Sequence, residues 1–75
     1  MQTQKCIEYF SDPTIADEKK RRAVAIRSIA EALGIRPPSV YGWGETVPPY
    51  RQIQLEIATR GKLKAARSAY PASMA

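Results

Sequence analysis

The 75-residue chain has no histidine and a single cysteine, Cys6. That excludes a zinc site built on His and Cys ligands, and equally a nucleophile paired with an imidazole. One cysteine also forbids an internal disulfide, which agrees with a reducing compartment. Cys6 is read as a small core residue, with a reactive thiol as the alternative. No stretch is apolar enough to span a bilayer, and the N-terminus lacks a basic segment followed by an apolar core. Acidic residues are few, seven against twelve Lys and Arg. Convincing strands, internal repeats and low-complexity linkers are missing as well. These absences predict a cytosolic, non-catalytic, helical protein with no metal and no cofactor.

Hydrophobic residues make up 44% of the chain and charged residues 25%, a balance that favours folding over disorder. The chain is too short to divide, so residues 1–75 are read as one domain. Its net charge of +5 is unevenly placed. Residues 1–18 carry Lys5 against Glu8, Asp12, Asp17 and Glu18, whereas residues 19–75 hold eleven cations against Glu31, Glu45 and Glu56. The basic body selects polyanionic partners: nucleic acid first, then acidic lipid or an acidic protein.

Apolar spacing marks out the helices. Cys6, Ile7 and Phe10 share a face of a first helix, with Thr3 as its N-cap and "SDP" at 11–13 ending it. A second helix runs from about Thr14 or Asp17 to Leu33, with Thr14 and Asp17 resembling a capping box. Its stripe is Ile26, Ile29, Ala30 and Leu33. The earlier "ADEKKRR" is polar almost all round, so it projects into solvent or frays.

Gly34 falls where a helix end favours a left-handed residue. The prolines of "RPPSV" cost no hydrogen bond in a first helical turn, so a third helix starts near Pro38 and runs to about residue 45, with Val40 and Trp43 inward. Gly42 is read either as looseness or as a place where something large approaches closely. Pro48 and Pro49 start a fourth helix with Tyr50, Ile53 and Ile57 in one stripe and Gly61 at its end. Leu55 lies off that stripe, as a lone surface residue or a dimer contact. Leu63, Ala66 and Tyr70 suit a brief fifth helix, and residues 71–75 form a frayed tail.

Around Gly34 stand Ala30, Leu33, Ile35, Val40 and Trp43, in that order. A small residue at the helix crossing, a glycine in the turn and apolar anchors from both sides are what a helix-turn-helix requires. The turn occupies 34–37.

The segments "IEYF", "AEALGI", "SVYGWGETVP" and "QIQLEIATRGKL", in this order, cover about two thirds of the chain. They resemble the small Cro-like repressors of lambdoid bacteriophages and their prophage or chromosomal relatives. Two departures stand out: residues 11–25 resemble an insertion or a lengthened second helix, and the small polar residue usual after "LGI" is here Arg36, followed by two prolines.

The resemblance implies an all-α fold, a small lambda-repressor-like helix-turn-helix domain of four to five helices. It implies a sequence-specific repressor that binds palindromic double-stranded operator DNA as a homodimer, with helix 38–45 in the major groove. Arg36, Pro38, Ser39, Tyr41 and Gly42 are then the base-contacting candidates, Arg36 by a bidentate contact to guanine. Phosphate contacts fall to Lys20, Arg22, Arg27 and Ser28, and to Tyr50 and Arg51 at the fourth helix. Leu55, Ile57, Leu63 and Tyr70 are candidates for the dimer interface. The expected setting is the cytoplasm of a bacterial host, on the nucleoid when bound.

Plainer readings stand beside these. Arg36 suits a solvated loop, Tyr41 a shield over the Trp43 side of the core, and "KKRR" at 19–22 a solvated helix face. An antitoxin-like chromosomal regulator would carry the same motif. A protein-interaction module would also use the helix-turn-helix, with no base preference. A membrane-surface helix is disfavoured because 15–33 has no bulky aromatics beside its cations.

Overall fold

The computed structural model describes residues 1–69, which form four α-helices and a final 3₁₀ turn. They are α1 (Thr3–Phe10), α2 (Glu18–Leu33), α3 (Pro37–Tyr41) and α4 (Pro49–Ala58), then the turn Arg67–Ala69. Among the described residues the sole extended pairing is an isolated antiparallel bridge between Gln2 and Thr46. The chain is therefore all-α.

The N-cap position of α1 is Gln2, not Thr3, and no side-chain cap bond is made there. Thr3 is the first helical residue and is buried, its N–H donating to the Glu45 carbonyl at 2.9 Å. Ser11 ends the helix by donating its hydroxyl to the Ile7 carbonyl at 2.7 Å. Residues 11–17 are loop: the Thr14 amide and hydroxyl both donate to Asp12 Oδ1, at 2.9 and 2.6 Å. Those bonds hold the Asp12 carboxyl below its usual pKa. Asp17, expected inside a capping box, is itself the cap of α2, accepting from the amides of Lys19 and Lys20 at 3.0 and 3.3 Å. Of the polar run 16–22, residues 18–22 are the first turns of α2 and Asp17 is its cap.

α2 lays Ala25, Ile26, Ile29 and Ala30 into the core against Cys6 and Ile7 of α1. Cys6 is fully buried, and desolvation pushes its thiol up from 9.0 to about 11. Any stability gained by keeping it neutral is complete below pH 9 and lost as pH rises through 11. This is the core role read from the sequence.

The end of α2 sets the position of α3. Gly34 has φ +67, its N–H donates to Glu31 O, and the Ile35 N–H reaches back to Ala30 O at 2.9 Å. This is the Schellman closure. A Cβ at Gly34 would meet nothing within 4 Å, so an alanine there suffers only from the left-handed backbone. Gly34→Ala is expected to lower stability by about 1–2 kcal/mol in urea titration, without loss of core packing.

α3 begins one residue earlier than expected and is much shorter. Ser39 N–H already bonds Arg36 O at 3.0 Å, so Pro37 takes the first helical position despite the steric bias in front of Pro38. The helix stops at Tyr41. Residues 42–45 are turn, with Gly44 at φ +73, so the expected helix 38–45 is one helical turn followed by a tight reversal. Val40 is buried, and Trp43 packs half-buried against the core.

The stripe expected on α4 is reversed. Gln52, Leu55 and Thr59 face inward, while Tyr50 and Ile57 are exposed and Ile53 is half-buried. Polar side chains can take the inner face because their bonds are met: Thr59 Oγ1 donates to Leu55 O at 2.7 Å and accepts from Leu63 N at 3.0 Å. Past α4, Arg60 is left-handed at φ 53 and the Gly61 N–H bonds Glu56 O at 2.8 Å. The brief fifth helix is reduced to the 3₁₀ turn, and Tyr70 with the frayed tail 71–75 lies outside the described residues.

Candidate nucleic-acid interface

With Val40 anchored inward, the remaining side of α3 is free. Arg36, Pro38, Ser39, Tyr41 and Gly42 are all exposed, Tyr41 by 61%. Among the described residues no side-chain hydrogen bond or ion pair occupies Arg36, Ser39 or Tyr41. Tyr41 therefore points to solvent and does not shield the Trp43 side of the core. At Gly42 the backbone is ordinary (φ −80), and an added Cβ would meet Ser39 O at 3.7 Å and Pro38 O at 3.8 Å. Nothing inside the domain demands glycine there.

The four expected phosphate residues of α2 separate. Lys20 and Arg27 border one shallow cleft with Ala23, Val24 and Pro37, which puts both beside the start of α3. Arg22 turns the other way: its Nη1 donates to Gln4 Oε1 at 3.3 Å, in a different cleft with Thr3, Gly44 and Glu45. Ser28 is half-buried and spends its hydroxyl on Val24 O at 3.0 Å. The structure thus joins Lys20 and Arg27 to α3 and leaves Arg22 and Ser28 apart from it.

Tyr50 and Arg51 are held to each other at the start of α4. The Arg51 guanidinium lies 5.5 Å from the Tyr50 ring centre and donates to Gln54 Oε1 at 2.7 Å. α4 packs against α2 and the last 3₁₀ turn, and makes no comparable contact with α3.

The expected dimer residues also divide. Leu55 is 0% exposed, which removes it from any surface, and Leu63 is half-buried against the core. Ile57 is 72% exposed and borders a shallow depression with Ala32, Leu33, Gln54 and Ala58. Small alanines carry little signal in a sequence, so the residues around Ile57 were not legible there.

One structural residue was missed altogether. Gln52 is buried and joins three segments: its Nε2 donates to Val47 O at 2.7 Å, and its Oε1 accepts from Ala66 N at 2.8 Å and from the Met1 nitrogen at 3.1 Å. A glutamine on a helix resembles a surface residue until its partners are known. Among the described residues, no cluster of His, Cys, Asp and Glu could hold a metal, and no helix is long and apolar enough to cross a membrane.

A glycine-closed turn, a buried anchor on a short second helix and a free outer face beside two cations define a helix-turn-helix domain. The model of the family described as DNA-binding transcriptional regulator Cro matches residues 25–73, and the chain belongs to that family. A curated relative, the regulatory protein cro of Salmonella phage P22, is 43% identical over 44 residues, covering 59% of this chain and 72% of the relative. No solved structure matches the chain significantly. The family match begins inside α2, leaving α1, the 11–17 loop and the first turns of α2 outside it.

Proposed function

We propose that this DNA-binding regulator is a sequence-specific repressor that occupies a palindromic operator as a homodimer, with α3 in the major groove. The observation that carries the reading is the outer face of α3, where Arg36, Ser39 and Tyr41 are exposed and uncommitted while Val40 fixes the helix from behind. Arg36 supplies the fork that pairs with guanine O6 and N7, worth about 1–3 kcal/mol of discrimination. Ser39 reaches a base edge or a phosphate, and Tyr41 packs on a thymine methyl. Gly42, which nothing internal requires, allows the end of α3 close to the duplex.

Phosphate contacts from Lys20 and Arg27 set the register and carry no sequence information. Tyr50 and Arg51 supply a further phosphate contact at α4. One short helix reads few base pairs, so two copies on half-sites about 34 Å apart are needed for affinity. Ile57, with its apolar surround, is the surface offered for pairing, and Leu63 and Tyr70 are the further candidates that the sequence offers. Such a protein acts in the cytoplasm of its bacterial host, on the nucleoid when bound. It represses by occupancy and needs no cofactor.

Selection of duplexes from a random pool tests the reading. A two-fold symmetric site with half-sites one turn apart is expected. Arg36→Ala is expected to relax the preference at one guanine per half-site and to cost about 10-fold in affinity there, in line with loss of a bidentate pair. Salt-sensitive binding with no recovered sequence would reject specific readout and leave only polyanion attraction. Absence of duplex binding would favour the protein-interaction module.

A further inference from the structure

Between α2 and α3 every backbone position is restrained, each by a different device. Gly34 is fixed in the left-handed region at φ +67, and the Ile35 N–H reaches back to Ala30 O while its side chain packs on the core. Only Arg36 separates this closure from α3. It is the N-cap residue, its side chain is exposed and makes no cap bond, and its backbone is extended at φ −87 and ψ 145. Its carbonyl accepts the Ser39 N–H at 3.0 Å, a bond that a helical Arg36 would also accept. What keeps it extended is the residue after it. A proline ring clashes with a helical residue in front of it and confines that residue to extended geometry. Pro37 therefore closes the helical region to Arg36.

The restraint matters because α3 has little else to set it. It is five residues long, far below the length at which a helix stands alone in water. Among the described elements it packs against α2 only, with Val40 as its one buried residue. Pro37 is half-buried and borders the shallow cleft with Ala23 and Val24, so the ring that restrains Arg36 is itself backed by α2. The tip of α3 also has no backbone donor to offer. Pro37 and Pro38 carry no N–H, and the Ser39 N–H is taken by Arg36 O. Whatever meets the tip meets side chains, and Arg36 is the cation that stands there. Pro49 starts α4 by the same rule, but the residue it restrains is Pro48, whose ring has no donor to present.

We propose that Pro37 is a positioning residue for Arg36: by barring helical geometry at position 36, it sets the guanidinium at the entrance of α3 before DNA arrives. The inference rests on the DNA-binding reading above and deepens it, because it names what holds the base-reading side chain in place. A helical Arg36 would prolong α3 backwards and swing its Cβ around the helix axis, which takes the fork off the base edge. An unrestrained Arg36 would have to be ordered on binding, and freeing one backbone position is worth about 2- to 5-fold in an equilibrium. Pro38 restrains only Pro37, so it serves as the control.

The experiment measures affinity of the full chain for the duplex that the wild type selects, for Pro37→Ala and Pro38→Ala, each with Arg36 intact and each combined with Arg36→Ala, with thermal unfolding of every variant. Pro37→Ala frees positions 36 and 37, and is expected to weaken binding roughly 3- to 10-fold with Arg36 intact but less than about 2-fold beside Arg36→Ala. Pro38→Ala is expected to stay within about 2-fold in both backgrounds. A proline that only supports the fold would cost the same in both, so equal losses for Pro37→Ala, or none, would overturn the proposal. A second readout needs no variant, and decides even where Pro37→Ala does not fold. The Arg36 Cα chemical shift of the free chain is expected to be that of extended backbone and to stay so when the duplex is added. A helical or averaged shift that becomes extended only on binding would overturn the prior setting of Arg36. Failure of the wild-type chain to bind any duplex would instead overturn the DNA-binding reading, and the assignment of Pro37 with it.

Discussion

Leu55→Ala is expected to destabilise the domain by about 2–5 kcal/mol, the range for emptying a buried leucine site, whereas Ile57→Ala shifts stability by less than about 0.5 kcal/mol. The two residues lie close together on α4, and apolar spacing alone assigns them the opposite roles. Leu55 is fully enclosed in the core cluster that also holds Ile26, Ile29 and Val47, so alanine leaves a cavity that α2 and α4 must close up to fill. Ile57 is open to solvent, and its loss removes little folded-state packing. A domain of this size holds on the order of 4–11 kcal/mol in total, so Leu55→Ala consumes a large part of the margin. Urea titration of both variants checks the pair. Ile57→Asp adds a functional arm: unchanged folding together with loss of cooperative operator binding is expected if Ile57 faces a second copy.

Gln52→Leu is expected to cost about 2–4 kcal/mol, although it replaces a polar core residue by an apolar one of similar size. The carbonyl of Val47 and the amide of Ala66 both rely on this side chain, and an orphaned buried backbone group costs about 1–3 kcal/mol. The added apolar burial offsets part of that sum. The damage is also positional. Gln52 holds the 45–47 segment, which pairs with residues 1–3 and leads out of the turn after α3. The expected result is a lower urea midpoint with hydrogen exchange accelerated first in residues 45–47 and 63–66. A change below about 0.5 kcal/mol would show that water replaces the amide at no cost.

The helix-turn-helix was legible because its requirements are local. A left-handed turn, two prolines and a buried Val40 are each tied to one position by backbone geometry, and the structure agrees at Gly34, Ile35 and Val40. α4 was misread because its inner face uses Gln52 and Thr59, whose burial depends on partners distant in sequence. The length of α3 was overestimated because Trp43 is at helical spacing from Val40, yet the helix ends at Tyr41 and the chain turns on through Gly44 at φ +73. The run 19–22 read as one basic patch. Side-chain bonds divide it between internal ties at Arg21 and Arg22 and free side chains at Lys19 and Lys20, a division that adjacency in sequence does not contain.

The central claim is that DNA meets the face formed by α3 and the outer side of α2. Amide chemical shifts recorded while the selected duplex is titrated into the labelled chain test it most directly. The largest changes are expected at residues 36–42, with a second group around Lys20 and Arg27. Largest changes at Ile57 and Ala58, or in the cleft of Thr3, Arg22 and Glu45, would contradict it.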